Sequence, residues 1–393
     1  MVKNLKSAKN QFKNSPNIKR VFKSVRSKKA SKTQIILKSQ KQKSKQLKKQ
    51  LKLSKKNTKI VKLPYENIKT YPNLHSSTLI YMKRMNNKKY FLTASDYHLI
   101  IYSIETMKNI AAITNYFHSW THCLELANGE IICISSNNVT FYKFDNITQN
   151  IIEIKNLVYQ IPKFSKGLYQ IDGRTIAVCK EKEVYFLDTH NYNVKNTILL
   201  KYDCKSSLII ENKQKILMMS ENKIEIIDLL LKDNISKIHD CGSGIKQGFV
   251  IENNKFVIYN FSSIKIYDSN TFKKLHSVNV DNNISIVKKI NCKNNNNLIG
   301  VGDINGRLQL FDYECKLIYS ITISKIGINS LFSLNNNKIL FNLDGNRIVL
   351  FDVEKKKSVF VKRLECSNAF RKGFLLDDGS FIMGYCKSFV VMN

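Results

Sequence analysis

GVGDINGRLQLFD, Gly300 to Asp312, holds two short apolar runs on either side of a tight polar turn. The first run, begun at Leu298 (LIGVG), has the length and β-branched content of a strand, and the second closes on Phe311-Asp312. Outward from this copy the first run recurs as FLTAS at Phe91, IICIS at Ile131, IAVCK at Ile176, ILMMS at Ile216, FVIYN at Phe256, ILFNL at Ile339 and FIMGY at Phe381, in steps of 40 to 45 residues. A second ladder runs in register with it. The apolar-Asp ending returns as Phe144-Asp145, Leu187-Asp188, Ile227-Asp228, Tyr267-Asp268 and Phe351-Asp352, while the first copy ends Tyr102-Ser103 and the last Met392-Asn393. Two ladders of one period mark an internal repeat.

Turn chemistry keeps the same period. Asn128-Gly129, Asp172-Gly173 and Asp378-Gly379 precede three of the runs, and Asn-rich pairs such as Asn253-Asn254 precede others. Asn-Gly and Asp-Gly supply the positive φ of tight hairpins. Each period therefore reads as four strands: one before the hairpin, the two named runs, and a more polar outer one such as Leu275–Asp281 or Val359–Leu364. A four-stranded unit of about 40–45 residues is a propeller blade. The sequence predicts an all-β chain folded as an eight-bladed β-propeller over residues 59–393, with seven blades as the alternative if one copy is misread.

The repeat resembles the Trp-Asp (WD) repeat family in degenerate form, and Gly300 to Asp312 is the copy most like it. The departures are that no copy ends in Trp-Asp and that the Gly-His opening of the family's repeat is missing, so the family's buried Asp-His-Ser-Trp network cannot be complete. In that family the turn between second and third strands shares a face with the connection between blades, and that face usually binds partners. The resemblance thus implies a partner-binding ring of Asp96, Tyr97, Lys182, Lys223, Arg307, Arg347 and Lys387, with Trp120 in the connection entering the second copy. Trp, Tyr and Arg are the side chains that anchor interfaces. The alternative for Trp120 is packing between blades.

A linear row of eight copies leaves the last blade without an outer strand, because the chain ends where its third strand does. Lys59–Leu63 (KIVKL) is strand-like, and we expect it to close the ring beside the final strand. Closure removes two unpaired sheet edges.

Ahead of the repeat the physics changes. Residues 1–62 carry 22 Lys and Arg and no acidic residue, against a net charge of +34 for the whole chain. Such self-repulsion with little apolar content predicts a disordered arm over residues 1–58. Within it Ile18, Val21, Phe22 and Val25 follow helical spacing among Lys19, Arg20, Lys23, Arg26, Lys28 and Lys29. That pattern suits docking on an anionic partner, although a solvated charged tail fits equally. Only eight of the basic residues are Arg. The Lys, Asn and Ile excess is what AT-rich codons produce, and phosphate readers favour Arg.

Catalytic and cofactor signals are sparse. His118 and His122 in HSWTHC stand four apart, but the segment enters a strand, where that spacing does not bring two ligands together. Gly242-Ser243-Gly244 and Gly300-Val301-Gly302 lack the helix and Lys of a phosphate loop. The nine cysteines include no C-x-x-C pair and several lie inside apolar runs, as reduced buried thiols do. No apolar stretch is long enough to span a membrane. We expect no cofactor and no metal, and an intracellular location, cytoplasmic or nuclear. The expected function is a non-catalytic protein-interaction scaffold. The alternative is a nuclear or ribonucleoprotein-associated factor whose arm binds RNA or DNA. A catalytic propeller, the remaining class, would converge acidic or His side chains on the central channel.

Overall fold

A computed structural model of the protein describes residues 68–392, apart from short stretches at 72–74, 76, 116–119, 136–137, 159–164, 211–213, 231–232, 239–240, 242, 253, 282, 293–296, 335–336, 345–346, 364–369 and 386–387. The basic arm lies outside the described residues. Among the described residues thirty-two strands form eight four-stranded antiparallel sheets, so the eight-blade reading holds over the seven-blade one. Blade 1 is Leu79–Arg84, Tyr90–Ser95, His98–Ser103 and Asn109–Thr114. Blades 2 to 7 begin at Trp120, Gly167, Ser206, Gln247, Ile284 and Ile328, and blade 8 at Phe370. In every sheet the strands follow one another in order, with a single exception at the ring's closure.

Burial explains why the second run of each copy is apolar at nearly every position rather than at alternate ones. Second and third strands have neighbours on both faces, so YFLTAS and RIVLFD are buried almost throughout. Outer strands have one wet face, and KLHSVN alternates. The core is a set of clusters lodged between consecutive blades. Between blades 1 and 2, for instance, Leu92, Leu99 and Ile101 pack with Trp120, Ile131 and Tyr142.

The apolar-Asp ladder has a local cause. Each Asp ends or directly follows a third strand, and its carboxylate accepts N–H groups of the turn into the outer strand. Asp268 Oδ1 accepts from Asn270 and Thr271 at 3.0 and 2.7 Å, and Asp312 Oδ1 from Glu314 and Lys316 at 2.9 and 2.8 Å. Asp145, Asp188, Asp228 and Asp352 do the same for Ile147, His190, Leu230 and Lys355. In blade 1 Ser103 Oγ substitutes, accepting from Thr106. The chain then swings through positive φ at Met107, Gln149, Tyr192, Phe272, Cys315 and Lys356, a left-handed step that costs a non-glycine residue energy. The carboxylate's hydrogen bonds offset that cost.

The ring closes as expected, by an upstream strand pairing with the last one, but through a different segment. Ile68–Tyr71 (IKTY) is the outer strand of blade 8, running antiparallel to Ser388–Met392 with Ile68 opposite Met392 and Tyr71 opposite Phe389. Lys59–Leu63, expected in that place, lies outside the described residues. Tyr71 of the closing strand stacks on Phe389 with ring centroids 4.8 Å apart. Phe389 in turn meets Phe91 and Tyr102 of blade 1 at 5.2 and 5.0 Å. Gly384 permits this approach, since a Cβ there would lie 2.8 Å from Leu79 Cδ1.

Candidate functional site

Two surfaces follow from the ring: a face made by the turns between second and third strands, and the central channel lined by the first strands.

On the turn face, backbone hydrogen bonds clip turns of several blades to the connection between blades. Asp96 O accepts from Trp120 N at 2.8 Å and Tyr97 O from Asn115 N at 2.8 Å. Lys182 O accepts from Leu200 N, Glu221 O from Ile245 N, and Phe261 O from Ile284 N, at 2.7, 3.0 and 2.7 Å. These bonds satisfy backbone groups that a loop would otherwise offer to water, and they hold the side chains outward.

Six of the eight expected face residues stand on this surface, spread over blades 1, 3, 4, 6 and 7. Asp96 and Tyr97 sit in the turn of blade 1, and Tyr97 is exposed. Lys182 pairs with Asp203 at 3.4 Å in the open. Lys223 Nζ donates to Tyr202 Oη at 3.1 Å and rests 4.1 Å above its ring. Arg307 Nε donates to Ser320 Oγ at 2.8 Å, and Arg347 starts the third strand of blade 7, exposed. Lys387 lies outside the described residues, as do Lys19, Arg20, Lys23, Arg26, Lys28 and Lys29.

Trp120 is corrected. It is 1% exposed and packs edge-on to Tyr142 at 6.1 Å, so its ring belongs to the seam between blades 1 and 2. The cause is the irregularity after it: register shifts between Trp120 and His122, which leaves Trp120 opposite Ser135 with its side chain turned inward. Exposed apolar side chains do mark this face, but others: Leu199, Phe261 and Ile304 are 71, 53 and 50% exposed. Their sequence signal was an apolar residue inside a polar turn, Phe261 in YNFSS and Ile304 in GDINGR.

The channel is a cavity of about 1700 Å³, lined by the first strands of all eight blades. The basic residues among its walls are Lys166, Lys246, Lys288, Lys289 and Lys372, with His122 and Asp344 the other titratable ones besides Tyr81, Tyr169 and Cys123. Lys166, Lys205 and Lys246 share one register position in blades 3, 4 and 5: their N–H groups donate to Cys179 O, Met219 O and Tyr259 O at 2.7, 2.7 and 3.0 Å. Burial, then the charges of Lys372 and Lys166, push the His122 imidazole down to about 4, so it is neutral at pH 7. Burial and Lys372 also lower Lys288, and burial lowers Lys246.

A buried His-Ser pair lies in a place the sequence reading passed over. His75, in the connection from the closing strand to blade 1, is buried and bonds Ser95 Oγ at 3.0 Å and Thr93 Oγ1 at 2.9 Å. Burial, then His98, pull it down to about 3. Among the described residues no group of three or more His, Cys, Asp or Glu is placed to hold a metal ion. Six of the seven described cysteines are buried, and Cys123 and Cys133 face each other across paired strands with Sγ atoms 3.2 Å apart.

The architecture is that of a WD-repeat-like β-propeller. Sqt1 of Saccharomyces cerevisiae superposes with a TM-score of 0.69 at 12% identity, over 83% of this chain and 98% of that one. The C-terminal WD40 domain of Sif2 gives 0.64 at 12% identity, over 84% and 98%, and the computationally designed Ika8 protein 0.66 at 11%, over 82% and 98%. At such identities the likeness is one of fold. No protein-family profile and no curated protein matches the sequence.

Proposed function

We propose that this protein is a non-catalytic interaction scaffold that docks partner proteins on the face carrying the turns between second and third strands. One observation carries the reading: Tyr97, Leu199, Phe261 and Ile304 are exposed on turns and strand ends whose backbones are tied to the blade connections. Exposed apolar side chains on a pre-ordered frame bind with little further ordering cost. Charged neighbours on the same face, Lys182, Asp203, Asp281 and Arg307 among them, supply a polar rim. The test is capture of partners from cells by full-length protein carrying Phe261→Ser and Ile304→Ser. Those partners should be lost, while Leu230→Ser, at an exposed leucine in a turn from third to outer strand, keeps them. Equal capture by all three proteins refutes the reading.

A second reading rests on charge. With 22 Lys and Arg in residues 1–62 and no acid, the arm suits RNA or DNA held through phosphates. Nucleic-acid affinity should then fall steeply with salt and vanish with residues 1–58. Salt-independent binding, or none, removes it.

A further inference from the structure

Cys123 and Cys133 are register partners on the first two strands of blade 2. The hairpin between them fixes what kind of partners they are. Leu126 N donates to Glu130 O at 2.8 Å, which makes Leu126–Glu130 the hydrogen-bonded pair that closes the turn. Pair types alternate along an antiparallel ladder, so Glu125–Ile131 is non-hydrogen-bonded, Leu124–Ile132 hydrogen-bonded and Cys123–Cys133 non-hydrogen-bonded. Backbones come closest at non-hydrogen-bonded pairs, with Cα atoms about 4.5 Å apart, inside the span a disulfide can bridge. The side chains use that closeness, and the two Sγ atoms are 3.2 Å apart. Both thiols sit in the seam between blades 1 and 2, but they differ in access. Cys133 is fully enclosed, whereas Cys123 lines the central channel. Burial, then the Cys123 sulfur, push the Cys133 thiol well up, so it keeps its proton.

We propose that Cys123 and Cys133 are a peroxide-reactive thiol pair that closes reversibly to a disulfide inside blade 2. The oxidant is hydrogen peroxide or another small hydroperoxide, a molecule of a size to reach Cys123 from the channel. Cys123 reacts first. Its sulfur takes one peroxide oxygen, the O–O bond breaks, and the leaving hydroxide departs as water with the thiol's proton, giving a sulfenic acid. Cys133 then attacks the Cys123 sulfur, the S–O bond breaks, and a second water carries away the Cys133 proton. One peroxide is reduced and two thiols are oxidised, two electrons in all. The fold supplies the second step with its geometry, since sulfurs 3.2 Å apart need close only to about 2.0 Å. Thiol reductants reopen the bond by exchange. Cys179 gives the contrast: equally buried, it faces Gly167 across its own strand pair, which offers no sulfur. The pair is separate from the docking face and stands or falls without it.

The test exposes the folded full chain to hydrogen peroxide, quenches with catalase, then unfolds and alkylates with iodoacetamide. No Lys or Arg lies between Lys108 and Lys143, so trypsin releases residues 109–143 with Cys123 and Cys133 as the only cysteines in the peptide. After peroxide this peptide should be about 2 Da lighter and carry no alkyl group, and dithiothreitol before alkylation should restore both groups. Cys179 should be alkylated throughout. In urea that selectivity should vanish, with all nine cysteines oxidised alike. Cys133→Ala should leave a Cys123 sulfenic acid that dimedone labels, and Cys123→Ala should slow oxidation of Cys133 about ten-fold. The wild-type measurement stands by itself if either variant fails to fold. A peptide still alkylated at both cysteines after a dose that oxidises glutathione, a bond from Cys123 to any other cysteine, or the same selectivity in urea would each overturn the proposal.

Discussion

Blades 7 and 8 are neighbours with the same four-stranded plan, yet they are held together differently. Blade 7 is one continuous piece of chain from Ile328 to Arg363, and its outer strand follows a short turn capped by Asp352. Blade 8 takes its outer strand, Ile68–Tyr71, from roughly 320 residues away, to lie beside a third strand that ends at Met392. For a flexible chain, closing a loop of that length rather than a turn of a few residues costs about 4 kcal/mol more. Folded intervening blades reduce the figure. What offsets it is packing: Tyr71, Phe389, Phe91 and Tyr102 form one aromatic group that joins the last blade to the first. A repeat can thus spend local turn chemistry seven times, but the joint must be built from side chains.

The largest expected effect lies at that joint. Phe389 is 1% exposed and Ser388–Met392 is buried along its whole length. Phe389→Ala should cost about 3–5 kcal/mol, and removing residues 388–393 should abolish the cooperative thermal transition followed by circular dichroism. Phe332→Ala in blade 7 offers the comparison: it is only half-buried and should cost clearly less. If Phe389→Ala melts within a degree or two of wild type, the joint is not the weak point of the ring.

The next effect is acid sensitivity, through His75 in the segment that carries the chain from the closing strand into blade 1. Its folded value near 3 lies below the ordinary 6.5, so in the interval the unfolded chain holds a proton that the folded one refuses. Stability is therefore full above about pH 6.5 and declines as pH falls toward 3. By pH 4 this group alone should cost on the order of 3 kcal/mol. His122, held near 4, adds in the same direction. Urea midpoints measured from pH 7 to pH 4 should drop, and His75→Gln should flatten part of that slope while lowering stability at pH 7. An unchanged slope in the variant would mean that His75 takes up its proton without disturbing the fold.

Much of this architecture is written in the chain's period. Runs five residues long in all eight copies, Asp after six of the third strands and Gly or Asn in most hairpins each reflect a recurring local requirement, so the copies corroborate one another. The joint has no such repetition. KIVKL has strong strand propensity, but the strand beside Ser388–Met392 is Ile68–Tyr71, whose Tyr71 stacks on Phe389, a tertiary contact that propensity does not report. Trp120 was ambiguous for a related reason, since a one-residue register shift chooses between the seam and the face. The channel lysines were hidden by abundance. Among 56 lysines, composition alone cannot single out five, and only the gathering of the first strands around one cavity brings them together.

The smallest effect tests the continuous blades. Asp268 of blade 5 closes its turn through two backbone N–H groups and the Thr271 hydroxyl at 2.9 Å, and those bonds hold its carboxyl below the ordinary range. Asp268→Ala removes the one oxygen that accepts all three bonds while Phe272 keeps its positive φ of 56°. Because the turn is solvent-exposed, water replaces part of what is lost, and the cost should be about 1 kcal/mol. Asp268→Asn keeps an acceptor of similar reach and should cost a few tenths, which separates hydrogen-bond geometry from charge. Since six further blades carry an equivalent cap, neither change should alter the steepness of the transition, only its midpoint. A shallower transition in Asp268→Ala would show that a continuous blade can detach on its own, and the contrast with the closing joint would then be one of degree.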